Sequence, residues 1–125
     1  MKSSIRSAME QSSLENTHID DLVELVEPIL QYSPDEVYLT GSSVNSDNYG
    51  DIDVAINLSN DQSISKIENY LLKELNESTR FGTDESWIGK HKSVVRGTRD
   101  DVSYDFFIWD DKKLLDDEKL ILAAD

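Results

Sequence analysis

The 125-residue chain contains no cysteine, which excludes a disulfide framework and any thiolate metal site. Basic residues are scarce: 12 Lys and Arg stand against 26 Asp and Glu, a formal charge of −14. So acidic a body keeps itself soluble and disfavours loose binding to DNA or RNA, which relies on Lys and Arg against phosphate. A polymeric acceptor would need a local basic patch or a basic partner. The two histidines, His18 and His91, lie far apart in sequence, so no histidine-based metal site is expected. No apolar run approaches the length of a membrane span. Met1-Lys2-Ser3-Ser4-Ile5-Arg6 lacks the apolar core of a signal peptide. The expectation is a cytoplasmic protein with no membrane partner and no internal repeat.

What is present suits a globular fold. An apolar fraction of 38% and ten aromatic residues are enough for a core in one domain. Residues 1–16 are polar and Ser-rich and are expected to be a mobile N-terminal segment, leaving 17–125 as a single domain. Ile19, Leu22, Val23, Val26, Ile29 and Leu30 recur at helical spacing behind a capping Thr17. Pro28 then kinks the last turn or ends the helix early. Val37-Tyr38-Leu39 is a short strand, and Asp51–Leu58 alternates as a second. A helix follows with Ile64, Ile67, Tyr70, Leu71 and Leu75 on one face. Ser78 to Gly89 carries no clear period. Ser93–Arg96 and Val102–Ile108, either side of Gly97-Thr98-Arg99-Asp100-Asp101, predict a hairpin. A closing helix over about Lys112–Ala123 would pack Leu114, Leu115, Leu120 and Ile121. The order predicts an α/β (α+β) domain: a mixed β-sheet with its helices on one face.

Chemistry concentrates between the first two strands. Thr40-Gly41-Ser42 ends the first, and a polar loop leads to Asp51-Ile52-Asp53-Val54-Ala55-Ile56. Strand alternation sets Asp51 and Asp53 on one face and Ile52, Val54 and Ile56 on the other. Two carboxylates so placed repel each other and do not serve packing; a hard divalent cation relieves the repulsion and leaves room for phosphates. Gly41-Ser42 offers unobstructed backbone and a hydroxyl, the equipment of a phosphate cradle. A solvated acidic turn entering a strand, with Ser42 capping that turn, is the plainer alternative.

Gly-Ser, a polar spacer and Asp-x-Asp between apolar residues resemble the signature of the DNA polymerase beta-like nucleotidyltransferase superfamily. The compact chain looks most like its minimal nucleotidyltransferases, some of them antitoxins. The resemblance covers about Leu22 to Asp110 and implies a nucleotidyltransferase-like fold. It also implies two Mg²⁺ ions (Mn²⁺ as a substitute), with Asp51 and Asp53 binding the catalytic and nucleotide-side ions. Gly41 and Ser42 would hold the β- and γ-phosphates of a nucleoside triphosphate, ATP first. In a two-metal displacement one ion activates the attacking oxygen and the other steadies the leaving pyrophosphate. A third acid on a neighbouring strand completes that arrangement, and Asp105 is the candidate, with Asp110 and Asp111 behind it. A lone charge within so apolar a strand is costly unless paired or metal-bound. An ion pair with Arg96 across the hairpin is the alternative.

Lys90-His91-Lys92 with Arg96 and Arg99 is the concentrated positive region of the chain. It would neutralise a triphosphate, Lys92 and Arg96 foremost because alternation sets them on one face; a lysine-guarded edge strand is the alternative. Arg80 is a further phosphate candidate. Trp87 and Trp109 would stack a base or pack at a rim, and Tyr49 would touch ribose or base.

These readings lead to a metal-dependent nucleotidyltransferase passing a nucleoside monophosphate from a nucleoside triphosphate to an acceptor hydroxyl, with release of pyrophosphate. The acceptor is a small molecule or a partner protein; by the resemblance, some minimal members adenylylate a HEPN-type ribonuclease toxin. The alternatives are a non-catalytic nucleotide-binding or partner-inhibiting, antitoxin-like module on the same fold, and an acidic mimic of nucleic acid.

Overall fold

A computed structural model of the chain describes residues 4–59, 61–81, 93–109 and 119–124. Among these described residues three α-helices, α1 (Ser4–Met9), α2 (Asn16–Val26) and α3 (Ile64–Glu74), accompany six strands. The strands are β1 (Glu36–Thr40), β2 (Asp51–Asn57), β3 (Asn76–Phe81), β4 (Ser93–Arg99), β5 (Val102–Trp109) and β6 (Lys119–Ala124). They form one sheet in the order β3-β4-β5-β2-β1-β6. The central β2–β5 pair is parallel and every other pair antiparallel, so the sheet is mixed.

Alternation along the central strands divides the sheet. Ile52, Val54 and Ile56 of β2, Tyr104, Phe106 and Ile108 of β5, and Val37 and Leu39 of β1 point to one face. There they share a core with Ile5 and Met9 of α1, Ile19, Leu22, Leu25 and Val26 of α2, and Ile67 and Leu71 of α3. The three helices therefore cover one face, each by a single apolar stripe. The opposite face holds a smaller apolar cluster, Tyr38, Ala55 and Phe107, and the acids of β2 and β5.

Local chemistry explains the main breaks. At Pro28 the α-helix gives way to a 3₁₀ turn, Glu27–Tyr32, in whose first turn the missing N–H costs nothing. Ser33 then turns the chain with φ 52°. Gly97 lies opposite Tyr104 on the core face, and a Cβ there would meet Leu75 Cβ at 2.6 Å.

Four expectations change. Residues 4–9 are helical, with Ile5 and Met9 fully buried, so this part of the 1–16 segment is packed into the domain; its apolar residues are too few to show a period but face a ready core. The first long helix begins at Asn16 with Glu15 as its N-cap, not at a capping Thr17. Asn76–Phe81, within a stretch that carried no period, is the edge strand β3, nearly all exposed, so no alternation marks it. The predicted closing helix is a strand from Lys119 onward. There β6 pairs antiparallel with β1, Lys119 Nζ reaches Glu36 Oε1 at 2.7 Å, and α1 packs on the strand. Pairing with an open sheet edge outweighs the helical preference of Lys-Leu-Ile-Leu-Ala-Ala. Leu114 and Leu115 lie outside the described residues. Among the described residues no helix is long and apolar enough to cross a membrane.

Candidate active site

The antiparallel β1–β2 pair brings Thr40 opposite Asp53, so the Gly-Ser turn returns to the acids it precedes in sequence. Gly41 has φ +81°, in the left-handed region that favours glycine. A Cβ on it would stand 2.6 Å from Asp53 Oδ2. Backbone at Gly41 thus presses directly against a carboxylate, which no other residue type would permit without a shift. Ser42 opens a short 3₁₀ turn, Ser42–Val44, and is exposed; Ser43 is buried, its hydroxyl without a hydrogen-bond partner.

On β2, Asp51 is exposed at the strand's start and Asp53 half-buried two residues on. The parallel register sets Asp53 directly beside Asp105 of β5. Asp105 is 5% exposed. The three predicted acids therefore lie on one face of two adjacent strands. Burial pushes the Asp53 carboxyl up to about 6, and the Asp105 and Asp51 charges and a hydrogen bond with Asp105 add to the shift, while Arg96 opposes it. Like charges crowded in a partly desolvated site resist ionisation together.

Arg96 lies opposite Asp105 in the β4–β5 register. Its Nε donates to Asp105 Oδ1 at 2.6 Å and its Nη2 to Oδ2 at 3.4 Å. The ion pair considered as an alternative for Asp105 is thus present, together with the approach to Asp53. The guanidinium also lies over the Phe81 ring, 5.6 Å from its centroid.

Other expectations separate from the acids. Lys92, and with it Lys90, His91 and Trp87, lies outside the described residues, as do Asp110 and Asp111. Arg80 turns toward the helices and pairs with the buried Glu68 at 3.4 Å. Arg99 binds Glu24 of α2 at 2.6 Å, so neither arginine joins the acids. Tyr49 is engaged within the chain, by Glu15 and His18. Its hydroxyl accepts from the Glu15 N–H at 3.1 Å and bonds His18 Nδ1, with the rings edge to face. The Ser13 N–H donates to the Ser43 carbonyl at 3.1 Å. The α1–α2 link thereby braces both ends of the loop joining Gly41-Ser42 to Asp51. Nothing in the local sequence pairs His18 with Tyr49; only the fold brings them together.

A separate open cleft of about 440 Å³ lies between the start of α2 and the β4–β5 turn, lined by Thr17, His18, Asp20, Asp21 and Asp100. Burial, and a hydrogen bond with Asp100, raise the Asp21 carboxyl above its ordinary value.

Asp51, Asp53 and Asp105, on one face of two adjacent strands, offer oxygen atoms alone, the ligand type that hard cations take. As they stand, however, no three His, Asp or Glu side chains among the described residues converge on one ion position. Arg96 holds the place at Asp105 instead.

No family model, curated protein or solved structure matches this chain.

Proposed function

We propose that the protein is a nucleotidyltransferase that passes a nucleoside monophosphate, AMP from ATP foremost, to an acceptor hydroxyl and releases pyrophosphate. One observation carries the reading. Asp53 and Asp105 stand side by side on parallel strands with Asp51 two residues away, and the Asp53 carboxyl is driven up to about 6 by burial and by those acids. Carboxyls perturbed by burial together with specific charged neighbours cluster at functional sites. Asp51, Asp53 and Asp105 would hold Mg²⁺, or Mn²⁺ in its place, which when bound supplies Lewis acidity at the phosphoryl oxygens.

The chain's own residues do the rest by position and charge. Gly41, without a side chain, lets backbone lie against the Asp53 carboxylate where a phosphate would approach. The exposed Ser42 offers a hydroxyl at the same turn. Arg96, half in solvent and paired with Asp105, would meet phosphate oxygens beside the acids. The acceptor in this reading is a small molecule or a partner protein; the formal charge of −14 disfavours loose binding of a polynucleotide.

The Arg96–Asp105 pair favours a second reading, a non-catalytic nucleotide-binding or partner-inhibiting module, since it occupies one of the acids. Incubation with α-labelled ATP, GTP, CTP and UTP and Mg²⁺ or Mn²⁺, alone and with host lysate, separates the two. Label transferred to an acceptor, and lost in the Asp51→Asn/Asp53→Asn double variant, is the expected result. Metal-dependent nucleotide binding without transfer would favour the second reading.

A further inference from the structure

We propose that the open cleft between the start of α2 and the β4–β5 turn binds a primary ammonium group, held between Asp21 and Asp100 over the hydroxyl of Tyr104. The proposal is independent of the nucleotidyl-transfer reading. Asp21 and Tyr104 belong to the helix-covered side of the sheet, and Asp51, Asp53 and Asp105 face the other side.

Two independent observations meet there. The first is a pair of acids without a cation of its own. Of the lining residues, Asp20 is paired with Arg6 at 2.7 Å, and His18 is bonded to Tyr49. Asp21 and Asp100 meet each other through a hydrogen bond, and among the described residues neither forms an ion pair. Arg99 is near enough for its charge to act on Asp21, but its guanidinium is bound to Glu24 at 2.6 Å. Carboxylates pressed together by a helix and a turn repel unless a proton or a cation lies between them. The second observation is Tyr104. Its side chain is fully buried on the core face of β5, and its hydroxyl has no hydrogen-bond partner among the described residues. The charges that act on that hydroxyl are those of Asp21, Arg99 and Asp100, so it points to the junction of α2 with the turn, where the cleft opens. A buried hydroxyl without a partner is costly, and a ligand atom at that junction supplies one.

The acceptors match an ammonium. A primary ammonium carries three N–H donors and no acceptor. Asp21, Asp100 and Tyr104 offer oxygens from three separate elements: α2, the turn and β5. An ammonium entering between the acids sends the proton they share to solvent, ends their repulsion and gives the Tyr104 oxygen an N–H to accept. Hydrogen bonds to ionised carboxylates are the strong ones. A divalent metal fits less well, because no three His, Asp or Glu side chains among the described residues converge on one ion position. The cleft, about 440 Å³ and open to solvent, has room for the alkyl chain that carries the ammonium. A polyamine and the lysine side chain of a partner present the same group.

A chain of charge −14 attracts amines everywhere, so the test separates the site from the general field. Spermidine and, in place of a partner's lysine, Nα-acetyl-lysine methylamide are titrated into the ¹⁵N-labelled full chain. Salt is held at about 0.15 M to screen distant charges, and MgCl₂ is run in parallel. Saturable amide shifts confined to residues 17–21 and 99–104 are expected, and the amine that saturates first names the source of the ammonium. Asp21→Asn/Asp100→Asn should weaken binding about tenfold or more. Asparagine tolerates the left-handed backbone at Asp100, where φ is 51°, and each single variant repeats the comparison with a smaller loss. Glu27→Gln/Glu74→Gln removes the same charge from exposed positions on the helices and should change binding by less than about twofold. Tyr104→Phe should weaken binding about threefold yet melt no lower than the unmodified chain, because its hydroxyl bonds nothing in the empty cleft. Absence of saturable binding, shifts spread over the acidic surface, or equal losses in the two double variants would overturn the proposal. So would tighter binding of Mg²⁺ at the same amides, or a Tyr104→Phe chain that melts lower.

Discussion

Asp53→Asn should stabilise the protein at neutral pH, and the gain should vanish in acid. The Asp53 carboxyl rises from 3.8 to about 6 on folding, through burial first and the Asp105 and Asp51 charges next. A raised acid binds its proton more readily folded than unfolded, so ionisation works against the folded state. Below about pH 3.8 the residue is protonated in both states and the penalty is absent; it grows between 3.8 and 6 and is complete above 6. A rise from 3.8 to about 6 corresponds to roughly 3 kcal/mol at full weight. Asp53 is only half-buried, and screening by solvent reduces this to about 1–2 kcal/mol. Asparagine keeps the shape and the hydrogen bonding of the protonated acid without its charge. Urea unfolding of the full chain and of Asp53→Asn from pH 4 to pH 8 measures the effect, expected as a midpoint higher by roughly 1 M at pH 8. The two curves should meet near pH 4. A midpoint difference independent of pH, or a variant less stable at pH 8, would refute the claim that the three acids are crowded in the folded state.

Two further outcomes follow from the N-terminal segment. Ile5→Ala should cost about 2–4 kcal/mol in urea unfolding, because Ile5 is 1% exposed in the core; a cost near zero would return residues 4–9 to a mobile tail. Tyr49→Phe removes the hydroxyl that meets Glu15 and His18 and should cost about 1–2 kcal/mol. Hydrogen exchange in the variant should quicken over residues 44–50 and leave β4 unchanged, and uniform behaviour in both places would dismiss the brace.

The site was legible where its chemistry is local. Asp51 and Asp53 share a face because a strand alternates, and Gly41 precedes them by one turn of the chain. The pairing of Asp105 with Arg96 was open to two readings, and both contacts exist, one on each neighbouring strand. Arg80 and Arg99 could not be excluded as phosphate ligands from composition alone; their partners, Glu68 and Glu24, lie on helices that meet the other side of the sheet. β3 escaped because an exposed polar edge has no buried face to impose a period.

By itself the sequence determined the apolar stripes of α2 and α3, the β4–β5 hairpin, the break at Pro28, and the acidic pair on β2, because each depends on residues a few positions apart. Tertiary structure alone decided that Lys119–Ala124 is a strand, that Ser4–Met9 belongs to the core, and that Tyr49 is bound to the α1–α2 link. Those outcomes depend on partners 30 or more residues away. An unpaired sheet edge or an uncovered apolar face, which short-range pattern does not register, outweighs the weak preferences of a short segment.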